Sequence, residues 1–446
     1  MDQKRLFIQG ILLGCFVLTR ALPTAAADTP AFYPTLWNPQ PAAAAAVFSF
    51  GQVFPLSSAG GTSTAHDPSW SARWSGAEAI RPWTELALEL IVKYQQNPLR
   101  AARVLTLTHT AIHDALSLAV HNKLGPAERV TAMHRAAGLV LNHLYPQEPP
   151  GRLEGLGAAA ASAAVAGSDL HANRIESALR SGEQAAALAI SRSTRDGAGK
   201  QWPVRMRPKD QPGRWRATPP LNIYNPSDVI AATWRTWVLR DGGEIPAPPP
   251  PAFDSPEYQK EVEEVLQVAR ALTREQKEIC DRWNLGLGTV TPPGVWNKIA
   301  LDLVRANGVD TENSARIFAA LNVAMMDAFI ASWHVKYVWW TERPVTAIRE
   351  RFDPDFLPHV VTPAFPAYVS GHSTVSGAAE IVLATYFPDR AGWLREQSEE
   401  AALSRLLAGI HFRSDNEEGL KLGRRVGERV VAHLKSRTHQ AADTHR

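Results

Sequence analysis

Cysteine is nearly absent, with only Cys15 and Cys280 in 446 residues. Cys15 falls in an N-terminal segment built like an export signal, so a matured chain keeps one thiol and no internal disulfide; its stability has to come from packing. Charge of one sign is also lacking: 47 Lys and Arg against 44 Asp and Glu give a formal net charge of +3, mixed along the chain. That balance leaves no electrostatic footprint for nucleic acid, though it leaves room for a locally positive pocket. Beyond the N-terminal segment no charge-free apolar run is long enough to span a bilayer, which argues against a transmembrane anchor after signal removal and against a membrane-embedded enzyme. No series of alternating strands is visible, and the remaining apolar pattern has helical period.

What is present has a clear order. Lys4-Arg5, an apolar run at 6–18 and Thr24-Ala25-Ala26-Ala27-Asp28 form the layout of a secretory signal, with cleavage placed after Ala27 and export to the periplasm or medium expected. A lipoprotein signal, using Leu12-Leu13-Gly14-Cys15, stays open as the alternative. Residues 28–75 read as an irregular arm, 76–196 as an N-terminal helical bundle, 197–256 as a proline- and tryptophan-rich crossover, 257–436 as a C-terminal helical bundle and 437–446 as a polar tail. The fold class is all-α, in keeping with a length beyond one ordinary core. The halves echo each other without gaps: Ala102-Arg103, Asp114-Ala115 and Lys123 align on Ala315-Arg316, Asp327-Ala328 and Lys336. This predicts duplicated bundles, of which only the second continues into an Arg-Pro.

Three clusters in the last quarter carry the chemistry. Lys336 and Arg343 are seven apart, which on one helix puts both cations on one face, with Pro344 ending or kinking it; a solvated basic face paired to Glu342 fits the spacing equally. Ser370-Gly371-His372 precedes a small-residue helix, whose N-terminal amides and dipole favour an anion, while His372 is placed to exchange a proton; a Ser cap with an incidental histidine also fits. Arg405 and His411 are six apart, on different faces of a continuous helix, and Gly409 offers the break that lets both turn inward. Asp415 is placed to orient His411 through its other ring nitrogen.

Those clusters, in that order, resemble the active-site signature shared by the vanadium-dependent haloperoxidases and the type-2 phosphatidic acid phosphatases, over roughly residues 333–427. The resemblance implies two four-helix bundles with the oxyanion in the second. It implies that Lys336, Arg343 and Arg405 hold the equatorial oxygens of vanadate with Ser370 and the Gly371 amide, that His411 bonds the metal, and that His372 is the acid–base residue. Hydrogen peroxide and a halide would be the substrates. A phosphatase would use the same cradle for a phosphate ester, with His411 as nucleophile. Trp333 and Phe365 match halide-side aromatics of the peroxidases, and Val369 departs from a pattern that commonly has proline there.

Overall fold

Proline is abundant, at 33 residues, in a chain expected to be helical, and its placement reconciles the two. Six helices carry Pro in their first two positions, where the missing N–H costs nothing. The computed structural model describes Trp37, Asn38, Trp74 and residues 78–203 and 207–443; the expected signal segment and most of the expected arm lie outside them.

Thirteen α-helices lie among the described residues: α1 Arg81–Lys93, α2 Pro98–His121, α3 Pro126–Leu144, α4 Arg152–Ala164, α5 Ala172–Ser193, α6 Pro256–Arg270, α7 Arg274–Arg282, α8 Thr291–Ala306, α9 Thr311–Trp339, α10 Pro344–Arg351, α11 Gly371–Tyr386, α12 Ala391–Leu407 and α13 Arg413–Asp443. There is no β-strand among the described residues. Between α5 and α6 the described chain carries only the 3₁₀ turn Val229–Thr233.

Helices α2 to α5 pack together as one bundle and α9, α11, α12 and α13 as another, and the two join where α2 lies on α9. Those are the helices that echo each other in sequence. Asp114 accepts from the Trp37 and Asn38 amides at 2.8 and 3.0 Å. At the matching place in α9, Asp327 accepts from the amides of Trp237, Val238 and Leu239 at 2.7, 2.8 and 3.0 Å. Each carboxylate thus anchors a tryptophan-bearing segment to its bundle, a use that compensates for burying the charge. Lys123, the counterpart of Lys336, lies beyond the end of α2 and is exposed.

Helix α9 has the length and mean hydropathy, 1.4, of a membrane span, but 94% of that window is buried inside the fold, so it is the central core helix. The bundle around it depends on close helix approach. A Cβ on Gly423 of α13 would stand 1.9 Å from Thr374 O of α11, and one on Gly377 2.6 Å from Leu420 O. The start of α11, which holds the Ser370-Gly371-His372 cluster, is thereby pressed against α13.

Candidate active site

Seven helical residues advance about 10 Å along the axis, too far for two cations on one straight helix to close on a single small anion from adjacent sides. The structure departs here from the shared helix face suggested by the spacing. Trp340 adopts a left-handed conformation, φ 54°, and ends α9 with its N–H on Lys336 O at 2.8 Å. Burial of its indole against Tyr337 and Trp215 holds a non-glycine residue in that conformation. The chain doubles back, and Arg343 becomes the residue capping α10 ahead of Pro344. Nor does Glu342 pair with either cation: the Tyr258 hydroxyl donates to it and Arg351 lies 3.7 Å away.

The two cations are nevertheless both fully buried, and Arg343 reaches the third cluster. Lys336 Nζ donates to Pro366 O and Ala367 O at 2.8 and 2.9 Å. Arg343 donates through Nε to Phe365 O at 2.7 Å and through Nη1 to Ile410 O at 2.8 Å, with His411 Nε2 3.0 Å from the same nitrogen. Gly409, φ 76°, follows the end of α12 and turns the chain so that Arg405 and His411 point to one place. Ser370 caps α11, its hydroxyl oxygen accepting from the Ser373 amide at 3.4 Å, which leaves the hydroxyl proton free to donate.

His411 has its roles divided between its nitrogens. Nδ1 lies 2.9 Å from Asp415 Oδ2, which also takes the Phe412 amide at 2.9 Å. A carboxylate acceptor at Nδ1 places the proton there and leaves the Nε2 lone pair facing the cations. Burial holds the imidazole well below its ordinary pKa, and Arg343, Lys336, Arg405 and His372 all push the same way. Burial also lowers Arg343 to about 9 and Arg405 to about 10, both still charged at neutral pH, and lowers Lys336 with Arg343 adding to it. Asp415 is raised to about 7 by burial, against the Phe412 amide and the nearby cations.

Three basic side chains are therefore buried near one carboxyl group inside the protein, and an oxyanion would relieve the repulsion among their charged forms. Two buried nitrogens point to the same need: Arg343 Nη2 and His372 Nε2 have no hydrogen-bond partner. The donor set fits a tetrahedral or trigonal-bipyramidal oxyanion beside His411 Nε2. His372 is the partly exposed member of the histidine pair. Burial and Arg405 keep it well below its usual pKa, opposed by the backbone of Asn284 and Trp283.

Trp333 and Phe365 meet at a tilt of 52° with centroids 5.0 Å apart, and Phe329 meets Trp333 edge-on at 5.7 Å. Lys336 Nζ lies 5.0 Å from the Phe365 centroid and Arg343 Cζ 4.8 Å, so the apolar wall runs directly beside the cations. A Cβ on Gly371 would come 3.3 Å from Trp333 Cζ3; glycine lets the indole lie over the start of α11.

Sequence reasoning missed several contributors. Phe329 carries no motif. The Pro366 and Ala367 carbonyls, the Cys280 carbonyl 3.5 Å from Arg405 Nη2 and the Trp283–Asn284 backbone act through main-chain atoms, which side-chain identity does not report.

Residues 316–355 and 390–440 match the family model of the VCPO second helical-bundle domain. Vanadium chloroperoxidase of Curvularia inaequalis is 30% identical over 144 residues, 26% of this chain and 24% of that relative, so the match spans about a quarter of the relative's length. Among solved structures, the first bacterial vanadium-dependent iodoperoxidase superposes with a TM-score of 0.65 at 24% identity, over 80% of this chain and 96% of its own. The apo-type bacterial vanadium-dependent chloroperoxidase gives 0.60 at 18% identity, over 77% and 95%. At these identities the structural likeness is one of fold.

Proposed function

We propose, from the likeness of its second helical bundle to the VCPO domain model and to vanadium chloroperoxidase, that the chain is a vanadate-dependent haloperoxidase. The reaction is the oxidation of a halide by hydrogen peroxide: peroxide, halide and a proton give hypohalous acid and water. The observation that carries the reading is the contact of buried Arg343 with His411 Nε2 at 3.0 Å, with buried Lys336 and Arg405 acting electrostatically on the same imidazole and unpartnered nitrogens on Arg343 and His372.

Vanadate, when bound, would supply a Lewis-acidic centre able to polarise peroxide for attack by halide. His411 would hold it through Nε2, kept basic there by the Asp415 contact at Nδ1. Lys336, Arg343, Arg405, the Ser370 hydroxyl and the Gly371 amide would surround its oxygens. His372, neutral at pH 7 through burial, would be the acid–base residue, accepting a proton at Nε2 from incoming peroxide and giving it up again in turn. Trp333 and Phe365 strip water from the halide and shield the site, the feature that favours a peroxidase over a phosphate-ester hydrolase on the same cradle.

The test pairs two assays on purified, metal-stripped protein, with and without orthovanadate: halogenation of monochlorodimedone with bromide or chloride plus peroxide, and hydrolysis of p-nitrophenyl phosphate. Halogenation that appears only with vanadate is expected, and His411→Ala should leave none above background. Phosphate hydrolysis inhibited by vanadate, without halogenation, would overturn the peroxidase reading, and full activity in His411→Ala would overturn the site.

A further inference from the structure

Between Lys336 and Arg343 stands Thr341, to which no chemistry has been assigned. Its carbonyl accepts from the Ala367 amide at 3.1 Å and its hydroxyl oxygen from the Tyr368 amide at 2.8 Å. Tyr368 is fully buried, so that amide has no water to turn to. The loop held in this way carries the Pro366 and Ala367 carbonyls that take two of the three protons on Lys336 Nζ, and the Phe365 carbonyl that takes Arg343 Nε. Only one N–H of the ammonium is left for a bound oxyanion, and its direction follows from where those two carbonyls sit.

Thr341 is itself fixed from the other side. The Trp215 amide donates to Trp340 O at 2.7 Å, the Glu342 amide to Gly213 O at 3.0 Å, and Arg214 and Thr341 form an antiparallel bridge. The proline-rich crossover, the turn after α9 and the loop before α11 are thereby stitched together at one residue. We propose that Thr341 is a positioning residue for the oxyanion site: its hydroxyl sets the register of the 365–370 loop and so aims the remaining Lys336 N–H at the anion. The proposal rests on the oxyanion-binding reading of the site.

Thr341→Val keeps the shape and removes the acceptor, and Thr341→Ser keeps the acceptor. Dissociation constants for orthovanadate and inorganic phosphate, measured by titration calorimetry on the whole chain with thermal unfolding alongside, decide the matter. Thr341→Val should bind vanadate about tenfold more weakly, the scale of one lost buried hydrogen bond, and Thr341→Ser should stay within about twofold of wild type. A merely structural role would move the melting temperature without this rescue of affinity. Wild-type affinity in a folded Thr341→Val protein, or a Thr341→Ser protein as weak as Thr341→Val, overturns the proposal. Wild-type protein that binds neither anion overturns the reading of the site itself and the proposal with it. Should Thr341→Val not fold, Thr341→Ala removes the same acceptor and is read by the same criteria.

Discussion

At the scale of single residues, the site is organised by what each buried polar atom still lacks. Asp415 Oδ2 serves both His411 Nδ1 and the Phe412 amide, while Arg343 Nη2 and His372 Nε2 are left without a partner. Removing the charge at 415 tests the arrangement. In Asp415→Asn the amide oxygen can still accept from Nδ1, but the stabilisation of a more basic Nε2 is gone. Vanadate affinity should fall about 10- to 100-fold, the range for partners of metal-ligating histidines, and calorimetry giving an unchanged constant would contradict the assigned role. The residue types at Lys336, Arg343, Ser370, His372, Arg405 and His411 were legible in the sequence because polar atoms of rare type recur in fixed order. Thr341 was not, because its hydroxyl matters only through the distant loop it holds, and the carbonyls of Pro366 and Ala367 were not, because main-chain atoms carry no residue type.

At the scale of elements, the decisive feature is how near α11 comes to α13. Gly423 has no room for even a methyl group, its Cβ position lying 1.9 Å from Thr374 O, whereas Gly392 at the start of α12 has nothing within 4 Å. Gly423→Ala should therefore cost about 3 kcal/mol or more in urea unfolding and displace the end of α11 that bears Ser370 and His372. Gly392→Ala should be neutral or more stable by about 0.5–1 kcal/mol. Equal stabilities for the two variants would show that α13 can move away without loss. The small-residue character of α11 was readable, but its partner was not: glycine in a helix reports that something comes close, not what. The break after Lys336 was misread for a related reason. Trp340 carries no turn signal and is held left-handed by Tyr337 and Trp215, one of them over a hundred residues distant.

At the scale of the whole molecule, the N-terminal bundle carries its own pH dependence. His134 accepts from Trp83 Nε1 at 2.8 Å through Nδ1, which requires the neutral ring, and burial lowers it to about 4. His109, stacked on Phe318 across the bundle interface, is lowered by burial to about 3. Both folded values lie below the unfolded value near 6.5, so the unfolded chain binds more protons in the interval. Stability should hold its full value above about pH 6.5 and fall as pH drops, by about 1.4 kcal/mol per unit for each histidine. The His134 contribution should stop changing near pH 4 and that of His109 near 3. Urea melts between pH 7.5 and 5 measure this directly, and a flat profile would mean the rings are not buried neutral.

The sequence by itself determined the fold class and put forward the duplication and the candidate site residues, because helical period, an ungapped echo and an ordered set of cations and imidazoles are properties of the chain read in one dimension. Only the tertiary structure decided that the echoing helices α2 and α9 pack on each other, that Asp114 and Asp327 anchor matching segments, and that the crossover reaches into the site at Thr341. The physical reason is common to all three. Burial decides which polar atoms must find partners, and those partners, separated by tens to hundreds of residues, are brought within hydrogen-bond distance by packing alone.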